Sequence, residues 1–176
     1  MNLIGNTPFI QLGPKLYAKF EAYNPSGSIK DRMASYILQK AEENGDLREG
    51  YTIVEASSGN TGIAFAMLAA LKGYGCIIIM PNNMSARIIE VGDNAFKDAI
   101  QKRDELVHNF GTYWSPRQFS NPYNIECHEK TTATEIARSV LDLPAKLSAL
   151  VSGAGTGGTI MGCHKRLSML WSDAKF

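Results

Sequence analysis

Apolar and polar positions alternate between two periods along this chain of 176 residues. Short runs with β-forming residues predict strands at Leu16–Glu21, Tyr51–Ala56, Cys76–Met80, Arg87–Val91 and Leu147–Ser152. Ile4–Leu12 is a turn leading into a further short strand, and Tyr113–Ser115 is one more. Helical spacing places Met33, Ile37, Leu38 and Ala41 on one face of a helix over Met33–Glu43, with Gly45 as its C-cap. Further helices are predicted at Ile63–Lys72 (stopped by Gly73), Ala95–Asn109, Glu129–Leu141 and Ile160 to about Leu170. Strands alternating with helices imply an α/β protein of βαβ units around a mainly parallel sheet.

Three polar loops follow strands and lead into helices, where parallel sheets collect ligands. Ser57-Ser58-Gly59-Asn60-Thr61-Gly62 offers hydroxyls, an amide and freed backbone, a cradle sized for a carboxylate. The bland reading, an ordinary N-cap and tight turn, explains one or two of these residues. Gly153-Ala154-Gly155-Thr156-Gly157-Gly158-Thr159 suits a phosphate held by backbone N–H groups. It also contains GxGxxG, but a dinucleotide fold needs an acidic residue about 20 positions on, after another strand, and Asp173 comes too early. Gln118-Phe119-Ser120-Asn121-Pro122-Tyr123-Asn124 is a loop whose amides can orient a small polar substrate, although by itself it reads as an ordinary structural loop.

A lysine completes the set. Asn24-Pro25-Ser26-Gly27-Ser28 forms a turn, and Lys30 lands near the N-terminus of the helix that follows. The helix dipole there opposes a positive charge and lowers a lysine pKa, which suits a Schiff-base nucleophile. The alternative is a solvated, charged first turn, Lys30-Asp31-Arg32. An amine nucleophile, a phosphate cradle and a carboxylate cradle together fit pyridoxal phosphate acting on an amino acid.

Composition narrows the classes. With 44% hydrophobic and 20% charged residues the chain is globular, and a net charge of +1 gives no case for nucleic acid or an anionic membrane. No apolar run approaches a membrane span, and no signal peptide is visible. Cys76, Cys127 and Cys163 form an odd, scattered set, which points to a reducing, cytoplasmic setting. Cys127-His128 and Cys163-His164 match no zinc spacing, so no metal is expected.

Ile4-Gly5-Asn6-Thr7-Pro8, Asn24–Arg32, Ser57–Gly62, Gln118–Asn124 and Gly155–Thr159 occur in the order seen in cysteine synthase (O-acetylserine sulfhydrylase). From Ile4 to Gly162 the chain resembles this family of fold-type II pyridoxal-phosphate enzymes, which share the tryptophan synthase β-like fold. The resemblance implies that Lys30 carries the cofactor covalently and later acts as general base. It implies that Asn60 bonds the pyridine 3′-oxygen and that Gly155, Thr156, Gly157, Gly158 and Thr159 bind the phosphate. Ser57, Ser58, Gly59, Thr61 and Gln118 would hold the substrate carboxylate. The implied reaction is β-replacement, giving L-cysteine from O-acetylserine or serine and sulfide through an aminoacrylate.

The resemblance further implies a homodimer and a large cofactor domain beginning at residues 1–34. A smaller mobile lobe would occupy 35–145, with a return to the large domain at 146–176. Two departures are visible. A basic helix that the family carries after Met84-Ser85 is missing, and the chain stops soon after the phosphate loop. The family's serine or threonine to the pyridine nitrogen therefore has no counterpart, and a truncated chain with exposed apolar surface is expected. Two other readings stand beside the enzyme. One is a non-catalytic protein that uses the carboxylate cradle to bind the C-terminal peptide of a serine acetyltransferase, and the other is a cystathionine β-synthase-like activity.

Overall fold

A computed structural model describes residues 3–81, 89–91 and 96–176. The chain forms two compact units. One is built from residues 1–36 and 118–176, the other from residues 37–117. The helices after Gln118 pack on Gly158–Leu167 within the first unit.

The first unit opens with a hairpin of β1 (Phe9–Gly13) and β2 (Leu16–Lys19), paired antiparallel with Phe9 opposite Lys19. The expected strand to Glu21 stops at Lys19, and a 3-10 turn takes over Glu21–Tyr23. Helix α1 (Lys30–Asn44) follows, its last eight residues belonging to the second unit. It begins three residues before the expected Met33, so Lys30 is its first residue. Ser28 makes this possible: its hydroxyl accepts the Lys30 N–H at 3.2 Å.

The second unit carries a parallel four-stranded sheet. Helix α2 (Asn60–Lys72) lies between β3 (Thr52–Ala56) and β4 (Gly75–Pro81), and β5 (Ile89–Val91) comes next. Helix α3 (Phe96–Asn109) then precedes β6 (Tyr113–Trp114), and the strand order is β5-β4-β3-β6. Val54, Ala56, Ile79 and Ala99 form its core, with Ile77, Ile100 and Leu106 packed against them. Gly45 and Gly73 end α1 and α2 at φ +77° and +78°, as helix C-caps that spare a Cβ clash. Arg87 and Ile88 of the expected Arg87–Val91 strand, and the place where the family's basic helix would follow Met84-Ser85, lie outside the described residues.

Three helices complete the first unit. The single helix expected over Glu129–Leu141 is two, α4 (Tyr123–Lys130) and α5 (Thr132–Leu141). The earlier start has a local cause: Asn121 Oδ1 accepts the Tyr123 N–H at 2.9 Å, and Pro122 fits the beginning of a helix. The break lies at Thr131, whose φ of −111° and ψ of −75° depart from ideal helix values while its hydroxyl bonds the Cys127 carbonyl at 2.8 Å. Among the described residues the expected Leu147–Ser152 strand reduces to one bridge, Ala149 to Lys175, with Leu150 and Ser148 bonded to the Lys175 backbone. Helix α6 (Gly158–Leu167) follows the glycine-rich loop. Ala133, Ile136, Ala137, Val140, Cys163 and Leu167 make the core of this unit.

Candidate active site

The turn before Lys30 is held by its own side chains. Gly27, at φ +84°, donates its N–H to the Asn24 carbonyl at 2.8 Å. Asp31 reaches back to accept from the Ser26 N–H at 2.7 Å and from the Ser26 hydroxyl. Behind the turn, the buried Asn24 accepts from Gly5 N–H and donates to Glu21. The Arg32 guanidinium is 1% exposed and bonds Glu21, Glu135 and Thr7. These residues, from two of the five sequence motifs together with Glu21 and Glu135, form one polar network. Lys30 is half-buried at its edge, and burial lowers its pKa from the usual lysine range.

The glycine-rich loop lies in the same unit. Gly157 adopts φ +78° at the N-cap of α6. Among the described residues the N–H groups of Gly155, Gly157 and Thr159 have no hydrogen-bond partner. They are open donors at the positive end of a helix.

Two residues of α4, one turn apart, hold the loop from behind. Asn124 is 3% exposed and donates its Nδ2 to the Gln118 carbonyl (3.0 Å) and to Thr156 Oγ1 (2.9 Å). Thr156 Oγ1 also accepts the Gly158 N–H at 3.4 Å. Both bonds use Thr156 Oγ1 as acceptor, which leaves the hydroxyl proton available to a further partner. Asn124 Oδ1 is buried without a partner against Gly158, where a Cβ would come within 2.1 Å of it. His128 is 1% exposed, with Nδ1 2.9 Å from Thr132 Oγ1 and Nε2 3.3 Å from Thr159 Oγ1. Burial, aided by the charges of Lys30 and Arg32, pushes its pKa down to about 4, so the ring is neutral at pH 7.

Packing fixes α4 against α6. A Cβ on Gly162 would stand 2.4 Å from the Ile125 carbonyl oxygen, so the backbones approach as only glycine allows. Gln118 is 5% exposed and positions Asn124 through its carbonyl. Neither Asn124 nor His128 is marked by sequence reasoning for this role, because that reading ends a loop at Asn124 and begins the next helix at Glu129, so their i, i+4 spacing on α4 is not visible.

The serine-rich loop belongs to the second unit. Ser57 is 4% exposed, and its Oγ accepts the N–H groups of Gly62 (2.9 Å) and Gly59 (3.3 Å). Its hydroxyl is committed to the loop itself. Ser58, Gly59 and Asn60 are exposed at the start of α2, and Thr61 is buried. Gly62 is needed for close packing, since a Cβ there would meet Ile78 at 2.9 Å. Lys30, Gln118 and Gly155–Thr159 thus share one unit, and Ser57–Thr61 lie in the other.

Among the described residues no cluster of three His, Cys, Asp or Glu side chains is placed for a metal ion, and no helix is long and apolar enough to cross a membrane. Burial holds the thiols of Cys127 and Cys163 up at about 12.

A lysine opening one helix and a glycine-rich loop leading into another, in one compact unit of an α/β protein, agree with the family description that matches residues 1–176, pyridoxal-phosphate dependent enzyme. The chain belongs to this family. It is 39% identical to a probable cysteine synthase of Bacillus subtilis over 98% of its own length and 61% of that protein's. It superposes with a TM-score of 0.93 on a hydrogen sulfide-producing enzyme of Fusobacterium nucleatum, at 41% identity, covering 99% of this chain and 58% of the other. For O-acetylserine sulfhydrylase isoform 3 of Entamoeba histolytica the TM-score is 0.86 at 31% identity, covering 98% and 58%. The expected fold class stands, and the chain spans about 60% of the length of these relatives.

Proposed function

We propose that the chain carries the machinery of a cysteine synthase-like enzyme, forming L-cysteine from O-acetylserine, or serine, and sulfide. The observation that carries this reading is the pairing, in one unit, of a half-buried Lys30 at the start of α1 with the open donors of the loop before α6. The loop suits a phosphate: three of its N–H groups have no partner among the described residues, and nothing lies within 4 Å of a Cβ on Gly155 or Gly157. Pyridoxal phosphate, when bound there, supplies an electron sink for a carbanion at the substrate Cα.

Each residue then has a task. Lys30 attaches the cofactor through its amine, and its lowered pKa raises the neutral fraction able to do so. The same amine would take the substrate Cα proton and return it after hydrosulfide has replaced acetate at Cβ, the electron sink being the cofactor's contribution. Gly155, Thr156, Gly157, Gly158 and Thr159 hold the phosphate. Asn60 bonds the ring oxygen. Ser58, Gly59 and Thr61, with Gln118, receive the substrate carboxylate, and Ser57 shapes that loop through its bonds to Gly59 and Gly62. Assembly as a homodimer, and recognition of a serine acetyltransferase-type C-terminal peptide by the carboxylate loop, are further parts of the proposal.

A second reading keeps the site and changes the direction: release of sulfide from cysteine. The likeness to a hydrogen sulfide-producing enzyme favours it. Visible absorption of the chain with added pyridoxal phosphate, beside Lys30→Ala, tests both. A cofactor band present only with Lys30 and perturbed by O-acetylserine supports the first reading, and one perturbed by cysteine with sulfide release supports the second. If folded protein gives no Lys30-dependent band, the catalytic reading fails and peptide binding is the better account.

A further inference from the structure

The bonds of His128 have a direction that matters for the loop it touches. A neutral imidazole carries one N–H. If that proton sits on Nδ1, it is donated to Thr132 Oγ1, and Nε2 takes the Thr159 hydroxyl proton. Thr159 then has no proton left for an anion. If the proton sits on Nε2, it is donated to Thr159 Oγ1, Nδ1 accepts from the Thr132 hydroxyl, and the Thr159 proton is free to point outward. Both contacts, at 2.9 and 3.3 Å, serve either arrangement.

We propose that His128 is a positioning residue that, as the Nε2–H tautomer, turns the Thr159 hydroxyl into a donor toward a bound phosphate. The proposal rests on the reading of Gly155–Thr159 as the phosphate site. Three features carry it. His128 is 1% exposed, so water does not compete for either nitrogen. Its one described partner besides Thr159 is a hydroxyl, which can give a proton as well as accept one. Its neighbour on the same face, Asn124, does for Thr156 what His128 does for Thr159: each feeds a proton to the threonine oxygen from inside, leaving the threonine proton for the outside. The Gly162 contact keeps α4 close enough to α6 for both bonds. The lowered His128 pKa keeps a single proton on the ring at neutral pH.

The experiment compares dissociation constants of pyridoxal phosphate and pyridoxal for the full chain. Both probes have the aldehyde, so their ratio isolates the phosphate contribution. His128→Asn, which cannot present a donor where Nε2 stands, is expected to reduce that ratio roughly tenfold or more, the scale of one bond to a charged group. His128→Gln, which can present a donor there, retains most of it. In a Thr159→Val background His128→Asn has no further effect if it acts through that hydroxyl. A folded His128→Asn variant with the wild-type ratio overturns the proposal. Equal binding of the two probes by the wild type overturns the phosphate reading itself. Nitrogen-15 NMR of wild-type His128 with pyridoxal phosphate bound decides independently of any variant's folding: protonation at Nε2 supports the relay, and protonation at Nδ1 overturns it.

Discussion

Arg32 donates to both carboxylate oxygens of Glu135, 103 residues further along the chain, through Nη1 at 2.6 Å and Nη2 at 2.8 Å. Nε and Nη2 of the same guanidinium also bond Glu21 at 2.7 and 2.8 Å, so one buried cation serves two carboxylates. Removing it leaves both partners without their main compensation. Arg32→Ala is expected to lower stability by about 3–5 kcal/mol, the scale for breaking a buried pair. Urea denaturation of the variant beside wild type measures it.

The same pair sets an acid limit. Burial alone would raise the Glu135 pKa, but bonds from Arg32 and Lys19 overcome it and hold the carboxyl at about 2, and Glu21 is also lowered. A depressed folded pKa gives stability that is present above the unfolded value, 4.5, and lost as pH falls toward about 2. Stability is therefore expected to fall through that window. In Glu135→Gln the fall should be shallower, as a denaturation series from pH 6 to 2 will show. An unchanged slope would mean that Glu135 does not titrate this way.

Helix α4 meets α6 where a side chain has no room. Gly162→Ala would drive a Cβ into the Ile125 carbonyl and the Glu129 backbone nitrogen, and a cost of about 1–3 kcal/mol is expected. Gly111→Ala meets nothing within 4 Å and should leave the melting temperature nearly unchanged. Equal melting temperatures for the two variants would contradict the close approach.

Ser57 and Ser58 are neighbours with different tasks. Ser57→Ala deletes the acceptor of two loop N–H groups and is expected to cost about 1 kcal/mol of stability. Ser58→Ala, at an exposed position, should leave stability within about 0.5 kcal/mol of wild type and weaken substrate binding. Thermal melts and a substrate titration of each variant separate the two roles.

Lys30 should be chemically distinct from the other lysines. Its burial-lowered pKa leaves more neutral amine at pH 7 than an exposed lysine has. Borohydride reduction after brief exposure to limiting pyridoxal phosphate should therefore label Lys30 first, read by peptide mass mapping. Uniform labelling across exposed lysines would count against a tuned amine.

Much of this was legible in the sequence, and the misses share a cause. The period-2 and period-3.6 patterns located β3, α2 and β4 closely, because each buries one continuous apolar set. Lys30 was found through turn chemistry at Asn24–Gly27. The start of α4 was hidden because Asn121-Pro122 reads as a loop, although the same pair can cap a helix. His128 was hidden because adjacent Cys and His invite a metal reading. Its contact with Thr159, 31 residues on, follows from the packing of α4 on α6 at Gly162, which no local pattern records. Leu147–Ser152 has a strand's composition, yet a strand needs a partner, and composition says nothing of where that partner lies.

The discontinuous first unit has a consequence for the order of synthesis. Residues 37–117 form their unit from one uninterrupted stretch, whereas residues 1–36 need Glu135 and its neighbours, which the ribosome adds some hundred residues later. During translation the sheet unit can fold as soon as it emerges, because domains fold as units from the N-terminal side. The early segment, already carrying Lys30, waits with Arg32 and Glu21 still hydrated. Only once α5 has been made can Arg32 reach Glu135, so the polar network next to Lys30 in sequence closes after the sheet unit is able to fold.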